Sequence, residues 1–384
     1  MNYNRAMPYP RLAKFSRIAF LVCFSVPLIH AQNVPTQADA LLQQQVKAQN
    51  FRGSVLIGVN GKIVFERGYG PADEEWNVAN TPKTKFRIAS MTKQFTGASI
   101  LLLQEDGKLN VGDRVSKYLS GLPDAWQAIT IHHLLTHTSG IPNYTDSAKI
   151  PELNQHGATP EQMIALVADK PLLSAPGAKF AYCNTGYILL GMLIERVSGM
   201  KYADFLQQRI FTPLEMKDSG YDTAPVVLAH RASGYQLKQG AIVNADFIDM
   251  SVPFAAGGIY STVEDLFRWN EALAHKGLLS PASRKAMFEV YPESVLADSH
   301  YGYGVVITER FGRRFFYHGG GVVGFSSEIQ RYPEENTCIV VLSNLEPVKS
   351  WEIGDGLAQS VLKEDHVPRG PGASRRRVAP HVRR

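Results

Sequence analysis

Apolar and polar positions alternate with a period of two near both ends of the chain, and with a helical period between them. Gly53–Val59 and Lys62–Tyr69 alternate around Asn60-Gly61, the dipeptide best suited to a two-residue hairpin turn. The same strand pattern returns at Tyr303–Thr308, Arg314–His318, Gly324–Tyr332 and Thr337–Ser343. Helical spacing covers Gln37–Gln49, and Met91–Asp106 is apolar at that period and stops at Gly107. From about Pro123 to Met216 helices dominate: Ile131–His137, Thr159–Ala168, Tyr187–Val197 and Tyr202–Ile210, with Gly or Pro between them. Ser261-Thr262 and Glu264 open a helix over Thr262–His275, and Trp351–Lys363 is the last one. This order predicts an α+β fold. One antiparallel β-sheet is built from both ends of the chain and flanked by helices, with an inserted helical lobe. A site is expected in the cleft between sheet and lobe.

The two ends depart from this pattern. Arg5, Arg11, Lys14 and Arg17 precede the apolar run Ile18–Ile29, and Ala31 offers a small residue for cleavage. Residues 1–31 are therefore expected to be a signal peptide, which makes the protein exported, periplasmic or secreted. The apolar run falls short of the roughly 20 residues a membrane span needs, so no stable span is expected after cleavage. Val22 before Cys23 does not fit a lipid-attachment site. Residues 367–384 hold six arginines and no acid, which predicts a disordered basic tail. Residues 32–366 are left as the folded domain. Removing the four positive charges of the signal and the six of the tail turns the formal net charge from +5 to −5. A mildly acidic body argues against nucleic acid as a partner. Cys183 and Cys338 remain after the signal leaves; buried thiols are the favoured reading over a disulfide.

Two motif matches lead nowhere, and a third motif is missing. Gly319–Gly324 satisfies G-x-G-x-x-G, but a strand follows where a phosphate site needs a helix N-terminus. His133 and His137 have the spacing of zinc ligands, but Leu134 stands where a zincin carries its glutamate, so packing or capping histidines are expected. No G-x-S-x-G is present. Neither a metal nor any other cofactor is called for.

One constellation does carry chemistry. Ser90-Met91-Thr92-Lys93 starts an apolar helix, so the Ser90 hydroxyl and the Lys93 amine share a face. Serine needs a base to become a nucleophile, and a lysine serves once burial lowers its pKa. Tyr182-Cys183-Asn184 lies in a loop before a helix. His318-Gly319-Gly320-Gly321 ends one strand and precedes another, where glycines allow close approach of a ligand's backbone.

In this order the three elements resemble the penicillin-recognising serine enzymes. The branch is that of class C β-lactamases, D-alanyl-D-alanine carboxypeptidases, D-aminopeptidases and lactamase-like esterases. Leu134–Gly140, Tyr187–Gly191, Ala256–Thr262 and Val340–Asn344 are similar to family segments, so the likeness spans nearly the whole mature chain. The resemblance implies an acyl-enzyme on Ser90, with Lys93 sharing its proton and Tyr182 as general base and then acid. It also implies an oxyanion hole from the backbone N–H groups of Ser90 and Gly321, and substrate contacts from Asn184, His318, Gly319 and Gly320. The family's Lys-Thr-Gly is His318-Gly319-Gly320 here, which puts a group half-charged near pH 6.5 where a fixed ammonium is usual. Efficient antibiotic hydrolysis is therefore not expected. The expected substrate is a small peptide, amide or ester, such as a D-amino-acid peptide or peptidoglycan fragment. The alternatives are a carboxylesterase or weak class C-like β-lactamase and, in another class, a non-catalytic penicillin-binding sensor.

Overall fold

A computed structural model of the chain describes residues 34–275 and 277–362. The expected signal peptide and basic tail lie outside the described residues. The main sheet has eight antiparallel strands: β1 (Gly53–Val59), β2 (Lys62–Tyr69), β3 (Val295–Leu296), β4 (Ser299–Tyr301), β5 (Val306–Arg310), β6 (Arg313–Val322), β7 (Phe325–Tyr332) and β8 (Thr337–Ser343). Their spatial order is β3-β4-β5-β6-β7-β8-β1-β2. The two ends of the chain thus meet at the β1–β8 seam, where Gly53 pairs with Ser343 and Val59 with Thr337. Asn60 and Gly61 both take positive φ (52° and 73°), as their hairpin turn requires.

Both faces of this sheet are covered, which is why β1 and β8 are buried almost throughout. On one face Val55, Ile57, Ile339 and Val341 pack with α1 (Val34–Lys47) and, at the other end of the chain, a helix over Ser350–Val361. Their neighbours Leu56, Val340 and Leu342 point the other way. They meet the core around α2 (Thr92–Glu105), in which every residue from Thr92 to Leu103 is buried. The helical lobe follows as α3 (Ile131–Leu135), α4 (Ile150–His156), α5 (Pro160–Ala165), α6 (Asn184–Ser198) and α7 (Tyr202–Leu206). The short α8 (Phe254–Gly257) then leads back toward the sheet, and α9 (Val263–Ala274) covers its inner face. Thr262 caps α9 by accepting from the Asp265 N–H. Trp269 of α9 is a core residue: it stacks on Phe95 at 4.1 Å and donates to Gln94.

Three expectations need correction. The strand expected at Tyr303–Thr308 begins only at Val306. Tyr303 and Gly304 lie instead against α2, so closely that a Cβ on Gly304 would sit 2.4 Å from the Lys93 carbonyl oxygen. The helix expected to run to Ile210 ends at Leu206 and widens into a π-turn over Gln207–Phe211. Most consequentially, the Gly319–Gly321 run does not end a strand but continues β6 to Val322, paired with Ser326–Glu328 of β7. Backbone pairing needs no Cβ, and the turn falls later, at Gly324 with φ +80°.

Those glycines dock the sheet onto the turn before α2. A Cβ on Gly320 would lie 2.2 Å from the Ile88 carbonyl oxygen, and Ser327 donates a 2.8 Å hydrogen bond to that same oxygen. Opposite Gly319 in the register stands Glu328, a carboxyl 2% exposed and pushed up to about 8. Burial is the main cause and the nearby Asp355 adds to it; Arg310 and Gln330 oppose both.

Two stability predictions follow from this docking. Gly320→Ala forces backbone apart and is expected to cost about 2–4 kcal/mol, whereas Gly321→Ala, whose Cβ would meet nothing within 4 Å, costs about 1 kcal/mol or less. Denaturant titration of both variants checks this, and equal costs refute it. For Glu328 the folded state holds the proton more tightly than the unfolded chain. The stability tied to it is whole below about pH 4.5 and lost as pH rises through about 8. Glu328→Gln should flatten that decline, gaining on the order of 2–4 kcal/mol over wild type at the alkaline end. Unfolding free energies measured across that window read the difference.

Candidate active site

The nucleophile candidate sits on a strained turn. Ala89–Met91 form a single 3₁₀ turn ahead of α2, and Ala89 carries φ +47°, a left-handed conformation that costs a Cβ-bearing residue about 1–2 kcal/mol. The surroundings hold it there. The Ile88 N–H donates to the Ile259 carbonyl at 3.0 Å, and the Ile88 carbonyl takes the Ser327 hydroxyl from the opposite side. Ser90 is left partly exposed at the positive end of a 14-residue helix.

One turn along, Lys93 is wholly buried. Its Nζ lies 2.8 Å from Asn184 Oδ1, 2.9 Å from the Ala256 carbonyl oxygen and 3.1 Å from Ser90 Oγ. Burial holds this amine well below the ordinary lysine range, against a weaker opposing pull from Cys183. The contacts suit a neutral amine. Two N–H bonds reach the two carbonyl-type oxygens, and the lone pair is left for the Ser90 hydroxyl.

Tyr182 precedes α6. Its ring centroid is 4.9 Å from Lys93 Nζ, and a hydrogen bond links its side chain to Ser90. The residue is partly open to solvent, yet burial of its surroundings raises the phenol above the ordinary tyrosine value, more than the Ser90 bond lowers it. Lysine down and tyrosine up is the reverse of what a phenolate base needs. These directions favour Lys93 over Tyr182 as the group that takes the Ser90 proton.

Asn184 is the first residue of α6. Its N–H donates to Asn143 Oδ1 at 3.1 Å, and its Oδ1 accepts from Lys93, which leaves its Nδ2 donors without a partner among the described residues. Gly321 lies in β6 just past the contact of Gly320 with Ile88 and Ala89, with open space over its Cα. Ser90, Lys93, Tyr182 and Asn184 are thus brought together, and Gly320 and Gly321 border them.

His318 is placed differently from its expected role. It is 4% exposed, with Nδ1 2.6 Å from the Gly319 carbonyl oxygen and Nε2 2.7 Å from the Tyr301 hydroxyl. A carbonyl only accepts, so Nδ1 carries the proton and Nε2 accepts from the tyrosine. Burial first and Lys93 second push the imidazole down to about 3. The group expected to be half-charged near pH 6.5 is instead held toward its neutral form, because burial disfavours the charged ring.

Several residues were missed by motif reasoning. Ala256 supplies a backbone carbonyl, which no side-chain pattern reveals. Asn143 and Ser327 act through hydrogen bonds to Asn184 and Ile88, far away in the sequence. Tyr301 belongs to no motif and reaches the site through its hydrogen bond to His318. His132 pairs with Glu293 at 2.6 Å, and His133 closes a capping box with Thr130. Arg87 and Arg231 both bind Asp222, so neither offers a free guanidinium. Cys183 and Cys338 are buried free thiols. Among the described residues no group of three or more His, Cys, Asp or Glu is placed to hold a metal, and no helix is long and apolar enough to cross a membrane.

Comparison with known proteins agrees with the fold. The Beta-lactamase family matches residues 38–363. Penicillin-binding protein 4* of Bacillus subtilis (strain 168) is 30% identical over 364 residues, covering 88% of this chain and 76% of its own. A penicillin-binding protein from Bacillus halodurans superposes with a TM-score of 0.73 at 29% identity, over 82% of this chain and 96% of that one. A D-stereospecific amidohydrolase from Streptomyces sp. does so with a TM-score of 0.70 at 25% identity, over 85% and 97%. With these likenesses spanning the whole folded body, the chain belongs to the Beta-lactamase family, a family of hydrolases to which the penicillin-binding proteins are related.

Proposed function

We propose that this protein is a serine hydrolase that forms an acyl-enzyme on Ser90 and acts on D-amino-acid peptides or cell-wall-type amides. The observation that carries the reading is the buried amine of Lys93, 3.1 Å from the Ser90 hydroxyl and fixed by two oxygen acceptors. As Ser90 Oγ attacks the acyl carbon, its proton passes to the Lys93 lone pair. The developing oxyanion takes the N–H groups of Ser90 and Gly321, each such donor being worth roughly 3–4 kcal/mol. Tyr182 gives its phenol proton to the departing group and is refilled from Lys93. Water then repeats the sequence in reverse to free the acid. Asn184 Nδ2 donates to the substrate's amide carbonyl, and Gly319 and Gly320 let the substrate backbone lie along β6.

The substrate class rests on likeness: a penicillin-binding protein and a D-stereospecific amidohydrolase are among the similar proteins. Export would put the enzyme beside peptidoglycan. A carboxylesterase is the second reading, favoured by His318. With both ring nitrogens bonded and no charge, it offers a substrate carboxylate nothing to pair with. The same feature argues against efficient β-lactam hydrolysis. A non-catalytic sensor is disfavoured, because Ser90, Lys93, Tyr182 and Gly321 are all intact.

Intact-mass spectrometry with benzylpenicillin, run beside an ester-hydrolysis assay, tests the proposal. Wild type should gain a lasting adduct or cleave the ester, and Ser90→Ala should do neither. Tyr182→Phe should lower the rate on an amide by at least about 100-fold. Hydrolysis that persists unchanged in Ser90→Ala would sink the assignment.

A further inference from the structure

His137 stands apart from the other histidines of the lobe. It is 1% exposed, and it takes a left-handed backbone (φ +58°) that a β-carbon makes unfavourable. Both of its acceptors are used on one short segment. Its carbonyl oxygen accepts from the Ala181 N–H at 2.8 Å, and its Nδ1 accepts from the Cys183 N–H at 3.0 Å. Ala181 and Cys183 are the two residues that flank Tyr182. The imidazole also lies against the Tyr182 ring, centroid to centroid 4.3 Å, with Tyr301 behind it at 4.5 Å. No hydrogen bond reaches its Nε2 from the described residues, so Nδ1 alone anchors the ring.

We propose that His137 is the positioning residue for Tyr182, clamping the chain on both sides of the tyrosine and backing its ring so that the phenol meets the departing group. This rests on the reading of Tyr182 as proton donor. The clamp needs an unprotonated Nδ1, because a second N–H there would face the Cys183 N–H. Burial keeps the imidazole well below its ordinary range. The tautomer is then Nε2–H. The left-handed backbone turns the His137 carbonyl toward Ala181 while its side chain reaches Cys183. Glycine at this position would keep the backbone and lose the ring. Asparagine would keep the backbone and the acceptor without the ring, since it tolerates positive φ and its Oδ1 stands in for Nδ1.

The test uses the leaving group. A 4-nitrophenolate departs unprotonated, whereas an ethoxide needs a proton as it leaves. Measured on 4-nitrophenyl acetate and ethyl acetate, kcat/KM for acylation gives a ratio that does not depend on how much of a preparation is folded. His137→Gly should lower kcat/KM on ethyl acetate by about 30–100-fold and on the nitrophenyl ester by less than about fivefold. His137→Asn should recover to within about fivefold of wild type on both. Tyr182→Phe is the reference and should show the same split as His137→Gly, or a larger one. If His137→Gly loses both substrates equally, or Asn rescues no better than Gly, while Tyr182→Phe keeps its split, this proposal is overturned and the tyrosine's role stands. If Tyr182→Phe shows no split, the tyrosine's role falls and the proposal falls with it.

Discussion

The rest of the site depends on a lysine amine held out of water. An isolated ammonium in a dry interior is expensive, so burial drives Lys93 toward its neutral form. A neutral amine has two N–H donors and one lone pair. The fold supplies two acceptors, Asn184 Oδ1 from the lobe and the Ala256 carbonyl from α8, and so the remaining direction belongs to Ser90. Each acceptor comes from a different part of the chain. The amine keeps this arrangement only while α2, α6 and α8 stay packed together, which ties it to the integrity of the core.

Strain is distributed in the same way. Ala89 and His137 both adopt left-handed backbone without being glycine, one beside the nucleophile and the other beside the tyrosine loop. Neither conformation is self-sustaining, at a cost of about 1–2 kcal/mol each. The first is held by Ile259, Ser327 and the close approach of Gly320; the second is held by its bonds to Ala181 and Cys183. Such strain persists only where surrounding contacts over-determine it. That makes the glycines of β6 a mechanical part of the site rather than mere clearance for a ligand.

This explains which parts were legible in the sequence. Short runs of strand length placed β1, β2 and β8 to the residue: β1 and β8 are apolar and buried on both faces, and Asn60-Gly61 marks the turn from β1 into β2. The i, i+3 spacing put Ser90 and Lys93 on one face, since a helix leaves them no alternative. What stayed hidden depends on contacts between distant segments. The continuation of β6 through three glycines shows no side-chain pattern, and it follows from pairing with β7. Tyr303 and Gly304 read as strand until α2 is seen lying against them. The Ala256 carbonyl and the charge state of His318 are properties of burial, and no motif encodes them.

The neutrality of His318 links recognition to chemistry. Its ring donates to Gly319 and accepts from Tyr301, so it fixes the glycine strand to an aromatic cluster rather than presenting a charge. Tyr301 packs in turn on His137 at 4.5 Å and near Tyr182 at 6.3 Å. A lysine at 318 would break this chain of contacts, because an ammonium has no acceptor for the Tyr301 hydroxyl and would seek water or an anion. It would also set a fixed positive charge close to Lys93, which would bind a proton still less readily. With an uncharged imidazole the neutral state of Lys93 is held by burial, and the tyrosine cluster stays closed. The consequence under the proposed function is for binding: His318 offers a substrate carboxylate no ion pair.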